Sequence, residues 1–162
     1  FYGARPLLTE DELPGNDEAE VDRAVLERLK RNFEASEWAG RTPEYVEHPF
    51  ELALGDSVVR GRMDAVFADD DGWVVVDWKT GEKPGRDAME SAQLQLAVYR
   101  EAWRRIARDG KPVRAVFFYV RTGETFAPRA LPDLDQLETM LGGARAGTPG
   151  EEIARESEER QG

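Results

Sequence analysis

The spacing of apolar residues along the chain predicts one helix followed by three strands. Between positions 18 and 37 apolar residues recur every three or four positions, which is typical of an amphipathic helix. Beyond Gly40 the period changes to two, and strands are predicted over 44–54, 57–68 and 73–79. Short turn sequences separate these strands, so we expect them to form an antiparallel meander.

The second half of the chain returns to helix and then to strand. Helical spacing of apolar residues predicts a helix over 86–108, with Gly110 as its stop signal. Residues 113–120 are almost continuously apolar, as in a strand covered on both faces. A short partner strand at 125–128 and a last helix at 132–141 complete a mixed α/β domain.

This predicted domain covers residues 18–142. The segment 1–17 is acidic and contains Pro14 and Gly15, and the acidic tail 143–162 has few side chains to bury. Because the chain opens at Phe1 rather than at Met, we expect a fragment whose first segment continues from an upstream region.

Composition excludes several classes of protein. The 162 residues include no Cys, which excludes disulfides, thiolate metal sites and Cys nucleophiles. A formal charge of −11 disfavours a general polyanion binder, although a local basic groove remains compatible with it. The chain contains neither an apolar run that could span a bilayer nor a signal peptide, so we expect a cytoplasmic protein without a membrane partner.

The hairpin of the second and third predicted strands brings two carboxylates together. With Asp70 and Asp71 at the centre of its turn, Asp64 lies opposite Asp77. Alternation places both aspartates and Lys79 on one face. The other face is wholly apolar and is expected to be covered by a helix; it comprises Met63, Ala65, Phe67, Val74, Val76 and Trp78.

Facing carboxylates need compensation, because like charges directly opposed across two strands are destabilising. Protonation of one carboxyl group, a neighbouring cation or a divalent metal ion would supply it, and Mg²⁺ suits one or two carboxylates with water and phosphate. Lys79 lies where it can orient a water or stabilise charge on a phosphate. The pattern fits metal-assisted hydrolysis of a phosphodiester, and an ordinary solvated strand face is the alternative.

Three motifs in this region resemble those of PD-(D/E)xK nucleases. Gly61-Arg62-Met63-Asp64, Asp77-Trp78-Lys79-Thr80-Gly81 and Gln95-Leu96-Ala97-Val98-Tyr99 are similar, in family order, to G-x-x-D, (D/E)-x-K and Q-x-x-x-Y. More narrowly, the set resembles the RecB-like nuclease domain at the C-terminus of bacterial helicase-nucleases of the AddAB, AdnAB and UvrD-like types.

The resemblance implies a restriction-endonuclease-like core and a metal-dependent DNA nuclease of double-strand break repair and recombination. It implies that Asp64 and Asp77 bind Mg²⁺ or Mn²⁺, that Lys79 assists the attacking water, and that Gln95 and Tyr99 border the DNA path. The implied partners are DNA, a helicase domain in the same chain and a second helicase-nuclease subunit. An alternative of equal weight to the DNA-bordering role is that Tyr99 packs into the core as part of the apolar stripe of its predicted helix.

The match to the RecB-like pattern is incomplete. Those domains carry a further His ligand on an upstream helix, and the helix over 18–37 contains no His. His48 precedes Pro49 and is expected to begin a strand rather than to bind metal. Glu47, just before that strand, is an auxiliary candidate. A missing upstream helix would leave the chain poorly active, so a catalytically incomplete DNA-binding or structural module of a helicase is the alternative function.

A local basic surface is predicted around the second long helix. Its members are Arg86, Arg100, Arg104, Arg105, Arg108 and Lys111. Trp73, on the carboxylate face, either stacks on a base or packs at the edge of the sheet.

Overall fold

The computed structural model describes residues 19–147, with side chains from 23 to 141. The predicted segment 1–17 and most of the predicted tail therefore lie outside the described residues. The elements are α1 (Ala19–Glu34), β1 (Tyr45–Leu54), β2 (Ser57–Ala68), β3 (Trp73–Lys79), α2 (Arg86–Ala107), β4 (Val113–Tyr119), β5 (Glu124–Phe126) and α3 (Leu134–Gly147). Within the described part of the chain, no helix is both long and apolar enough to cross a membrane.

The strands form one five-stranded mixed sheet in the order β1-β2-β3-β4-β5. Strands β1, β2 and β3 make the predicted antiparallel meander. Strand β4 pairs parallel to β3, and β5 pairs antiparallel to β4. Parallel neighbours need a crossover connection, which α2 supplies. The mixed α/β architecture predicted from the sequence is confirmed.

Each face of the sheet is buried under its own apolar cluster. Leu29 and Phe33 of α1, together with Trp38, cover one face, and the buried stripe of α2 covers the other. Strand β4 sends Phe117 to the α2 side and Phe118 to the α1 side, and both side chains are fully buried. The prediction that this strand is covered on both faces is confirmed.

Met63 lies on the opposite face from the one predicted. Alternation grouped it with Ala65 on the α1 side, but it packs in the α2 cluster with Val66. The alternation slips at Asp64, which the β1–β2 register places opposite Glu47. Glu47 has φ +49°, outside extended geometry. The backbone of β1 is therefore distorted opposite the point where the side-chain alternation of β2 is interrupted.

Helix ends depart from the predicted ones for local reasons. Helix α1 ends at Glu34 rather than at 37, because the Ser36 hydroxyl donates to the Phe33 carbonyl at 2.6 Å and accepts from the Trp38 N–H at 3.2 Å. Helix α2 ends at Ala107, one residue before the predicted end, because Arg108 adopts the left-handed conformation and caps the helix.

The last helix and the last strand are also shifted from their predicted positions. Helix α3 begins at Leu134 because Asp133 and Gln136 cap each other's backbone N–H groups at 2.8 and 2.9 Å. It continues to Gly147, six residues past the predicted end at 141. Strand β5 covers Glu124–Phe126 instead of 125–128.

Candidate active site

The two aspartates of the hairpin meet where β2 and β3 stop pairing. The ladder runs from Ala68 opposite Trp73 to Ala65 opposite Val76, and the next positions in this register are Asp64 and Asp77. The predicted register is therefore confirmed. Beyond the ladder, Asp64 Oδ2 accepts a hydrogen bond of 2.8 Å from the Trp78 backbone N–H, so its side chain reaches across to β3.

The carboxyl group of Asp64 has an altered proton affinity. Burial raises its pKa from 3.8 to about 7, and contact with the Asp77 carboxyl group adds to this effect. The Trp78 N–H and the Lys79 ammonium group act in the opposite direction. Near neutral pH, Asp64 is therefore poised to give up a proton to solvent or in exchange for a cation.

Lys79 is held against Asp77 by three kinds of contact. Its Nζ lies 2.8 Å from Asp77 Oδ2, donates to Gln95 Oε1 at 3.2 Å, and lies over the ring of Phe117, 4.9 Å from the centroid. The approach to Asp77 is an ion pair without hydrogen-bond geometry, and no described group makes a hydrogen bond to that buried oxygen. Asp77 Oδ2 therefore keeps lone pairs for a further ligand.

Helix α2 adds the next two predicted site residues. Gln95 Nε2 donates to the Tyr99 hydroxyl at 2.7 Å, which links Tyr99 to Lys79 through one amide. Tyr99 is buried and packs edge-to-face on Phe50 at 5.5 Å. Burial and the two aspartates raise the pKa of Tyr99, so its hydroxyl stays protonated. Tyr99 thus belongs both to the buried stripe of α2 and to the polar network.

Glu47 and His48 lie inside β1, within the strand predicted over 44–54. The expectations that Glu47 precedes the strand and that His48 begins it are wrong. Glu47 is half-buried at the register position opposite Asp64. The ring of His48 packs 5.4 Å from Tyr45 and 5.5 Å from Trp103, among aromatic side chains.

The donor atoms at this site suit a hard divalent cation. Asp64 and Asp77 offer carboxylate oxygens only, and the buried Asp77 Oδ2 has the Lys79 ammonium group 2.8 Å away as a counter-charge. Mg²⁺ and Mn²⁺ favour such ligands and commonly keep waters in their remaining positions. Among the described residues, no third Asp, Glu or His joins them in a metal-binding group. The aspartate pair fits an open site that water or a phosphate would complete.

Comparison with known proteins places this arrangement in a family. The model of the PD-(D/E)XK nuclease superfamily matches residues 5–160. The chain belongs to this superfamily. Its three motifs lie on β2, β3 and α2, and the restriction-endonuclease-like fold class is confirmed by the mixed sheet and the family match together. PD-(D/E)XK nucleases generally use divalent metal ions.

One curated relative and one solved structure show how far the similarity reaches. The chain is 31% identical over 144 residues to an ATP-dependent helicase/nuclease subunit from Geobacillus thermodenitrificans (strain NG80-2), an alignment that covers 74% of this chain and 11% of that protein. A crystal structure named "Putative exonuclease", from Eubacterium rectale, has 15% identity and a TM-score of 0.48, over 94% of this chain and 59% of the other.

Two of the six residues of the predicted basic surface pair with the buried Glu101 of α2. Arg100 is largely buried, donates to the Pro132 carbonyl at 2.7 Å and pairs with the buried Glu101. Arg104 pairs with the same glutamate at 2.7 Å. Arg100 therefore connects α2 to the segment before α3, which corrects its predicted place on the basic surface, whereas Arg104 pairs within α2 and remains exposed. The other four side chains are also exposed: Arg86, Arg105, Arg108 and Lys111.

Sequence reasoning missed Phe117, the ring beneath Lys79. Its position follows from the parallel pairing of β3 with β4, which sets Asp77 beside Phe117. The apolar run at 113–120 predicted the strand but not its partner or its register. No signal in a single sequence would have identified this ring.

Proposed function

We propose that this chain is the metal-dependent DNA nuclease domain of an ATP-dependent helicase-nuclease that acts in double-strand break repair and recombination. The observation that carries the proposal is the Asp64–Asp77 pair with the Lys79 ammonium group 2.8 Å from the buried carboxylate. Superfamily membership supports the nuclease activity. The similarity to part of a helicase/nuclease subunit supports a helicase in the same chain and a second subunit. A cytoplasmic location is part of the same proposal.

In this proposal Asp64 and Asp77 hold the metal ion, Mg²⁺ or Mn²⁺. When bound, the ion supplies a Lewis acid for the phosphate and lowers the pKa of coordinated water. Lys79 is kept beside the pair by Gln95 and Phe117, where its ammonium group orients the attacking water and stabilises charge on the phosphate. Tyr99 fixes the amide of Gln95 and so the position of Lys79. Glu47, opposite Asp64, is an auxiliary ligand candidate.

Cleavage of linear and circular DNA with Mg²⁺ or Mn²⁺ tests this proposal, both for the chain and for its intact parent protein. We expect Asp77→Asn to reduce cleavage to background, and Lys79→Met to lower kcat by about 10²–10³-fold, the loss typical for one charge-stabilising donor. Asp56→Asn is the matched control, because Asp56 is exposed in the β1–β2 turn, away from the pair. Equal cleavage by Asp77→Asn and Asp56→Asn would refute the site.

A structural or DNA-binding module without complete chemistry is the second candidate function. The observation that favours it is the lack, among the described side chains, of a third acidic or His ligand beside the pair. Calorimetric titration with Mn²⁺ separates the two functions. Binding that is lost in Asp64→Asn supports the nuclease, whereas wild-type protein that binds no Mn²⁺ supports the structural module.

A further inference from the structure

An aromatic cluster lies beyond the carboxylate site, at the far end of α2. Tyr45, His48, Trp73 and Trp103 approach one another with ring centroids 5.0–6.3 Å apart. Trp103 is buried, but Tyr45 leaves 43% of its surface exposed at the edge strand β1. We call Tyr45, His48 and Trp73 the aromatic patch. An exposed tyrosine supported from below by tryptophans offers a rigid π-face to solvent.

The aromatic patch lies on the same side of the sheet as the aspartate pair. Tyr45 is opposite Val66, and Val66 is opposite Val75, two residues before Asp77. Two strand spacings across the sheet and two residues along it separate the Tyr45 and Asp77 backbones by about 12 Å. One strand of stacked nucleic acid covers that distance in roughly four nucleotides, at about 3.4 Å each.

Three cations lie at the end of α2 and in the following turn, which contacts Trp73 of the aromatic patch. Arg105, Arg108 and Lys111 are exposed at the end of α2 and in the turn after it, and none makes an ion pair within the part of the chain described. The carboxylate of Asp109, in the same turn, already accepts two hydrogen bonds. It accepts from the Trp73 indole N–H at 2.9 Å and from the Lys111 backbone N–H at 3.0 Å, which also holds the turn against the patch. In a chain of formal charge −11, these three cations supply positive charge on a surface that also carries the exposed Glu44, Asp70 and Asp71.

We propose that the aromatic patch and the three cations form a single-stranded DNA subsite, in which Tyr45 stacks on a base and the cations contact phosphates. Single-strand binding surfaces combine these two elements, because every base has a π-face and every nucleotide a phosphate. The proposal rests on the proposed function and extends it. It assigns the strand a path from the aspartate pair to the edge of β1.

Binding of labelled oligo(dT) in EDTA tests the subsite without any cleavage. We expect Tyr45→Leu to weaken binding about tenfold, within the loss typical for one stacked base, and Tyr45→Trp to restore it. Val46→Ala is the matched control: Val46 is the adjacent residue of β1 and is 47% exposed. Circular dichroism verifies that each variant is folded. Unchanged affinity in folded Tyr45→Leu, or an equal loss in Val46→Ala, would overturn the stacking role.

The cations are tested by the salt dependence of the same binding. The double variant Arg105→Ala and Lys111→Ala should reduce the slope of log affinity against log salt by about 1.4, roughly 0.7 for each phosphate contact to a single strand. Arg23→Ala with Arg28→Ala, on exposed positions of α1, should leave the slope unchanged. An unchanged slope in the first variant overturns the phosphate contacts.

The outcomes separate this subsite from the nuclease function. Tyr45-dependent binding by a chain that never cleaves DNA would support the subsite and refute the nuclease. Metal-dependent cleavage, together with binding that does not depend on Tyr45, would support the nuclease and refute the subsite.

Discussion

Asp64 and Asp77 carry the same carboxyl group in different surroundings. Asp77 is 6% exposed and pairs with an ammonium group, whereas Asp64 is half-buried against the other carboxyl group and has a pKa near 7. With Asp64 protonated, the pair and Lys79 together are electrically neutral. A divalent cation must displace that proton, so metal binding and proton release are coupled at this residue.

The first prediction concerns the stability of the Asp64→Asn variant without metal. Because folding raises the pKa of Asp64, the folded state keeps a proton that the unfolded chain loses above its own pKa of 3.8. The free energy of unfolding therefore decreases as the pH rises from about 4 to about 7, and then levels off. Asn mimics the protonated form, so the variant should be more stable than wild type by about 1–2 kcal/mol at pH 8, allowing for solvent screening.

Urea unfolding in EDTA at about pH 5 and about pH 8 measures this difference. Asp56 is exposed in the β1–β2 turn, so Asp56→Asn should change the free energy of unfolding only slightly, and by the same amount at both pH values. Wild type and Asp64→Asn that differ by the same amount at the two pH values would show that folding does not perturb Asp64.

At the scale of elements, the β2–β3 turn touches the segment between α2 and β4. The Trp73 N–H donates to the Pro112 carbonyl at 2.9 Å, so the start of β3 is fixed to the entry of β4. Gly72 lies directly against this contact. A Cβ built at position 72 would be 2.1 Å from the Pro112 oxygen, which is backbone and cannot rotate away.

The second prediction is that Gly72→Ala destabilises the fold. The added methyl group forces the two segments apart, at a cost of about 1–3 kcal/mol or more in the free energy of unfolding. Urea unfolding at constant pH measures it. Gly40→Ala is the control, since a Cβ at position 40 would meet nothing within 4 Å. Similar stability of the two variants would contradict the close packing at Pro112.

The elements and the hairpin register were predictable because they depend on local patterns. Turn residues and alternation are enough to set Asp64 opposite Asp77. The face of Met63 was not predictable, because it depends on the unusual backbone of Glu47 in a different strand. The internal use of Arg100 likewise depends on its contact with Pro132, thirty-two residues away. Contacts of this kind arise from the tertiary fold.

At the scale of the whole molecule, nonspecific attraction of cations by the acidic surface has to be distinguished from specific binding at the aspartate pair. The chain carries a formal charge of −11, so divalent cations will gather loosely around it in addition to any specific binding. Specific binding depends on the two aspartates, whereas loose binding does not depend on any one carboxylate. Stability measurements on matched variants separate the two effects.

The third prediction is that Mn²⁺ stabilises the wild-type chain through the pair. A ligand at 100 times its Kd adds about 2.7 kcal/mol to the free energy of unfolding, which raises Tm by roughly 5–10 °C for a domain of this size. The shift should vanish in Asp77→Asn and persist in Asp56→Asn, and EDTA should reverse it. A shift that survives in Asp77→Asn would assign the stabilisation to the general acidity of the surface.

The confirmed hairpin register imposes a limit on how the β2–β3 turn can vary. Asp70 and Asp71 are both exposed, so many residue types fit there without disturbing the strands. Insertion or deletion of a single residue is different, because it would rotate the side chain at position 77 to the α1 face and separate the carboxylates. Asp70 and Asp71 can therefore be replaced by other residue types, but the length of the turn cannot change without separating the two carboxylates.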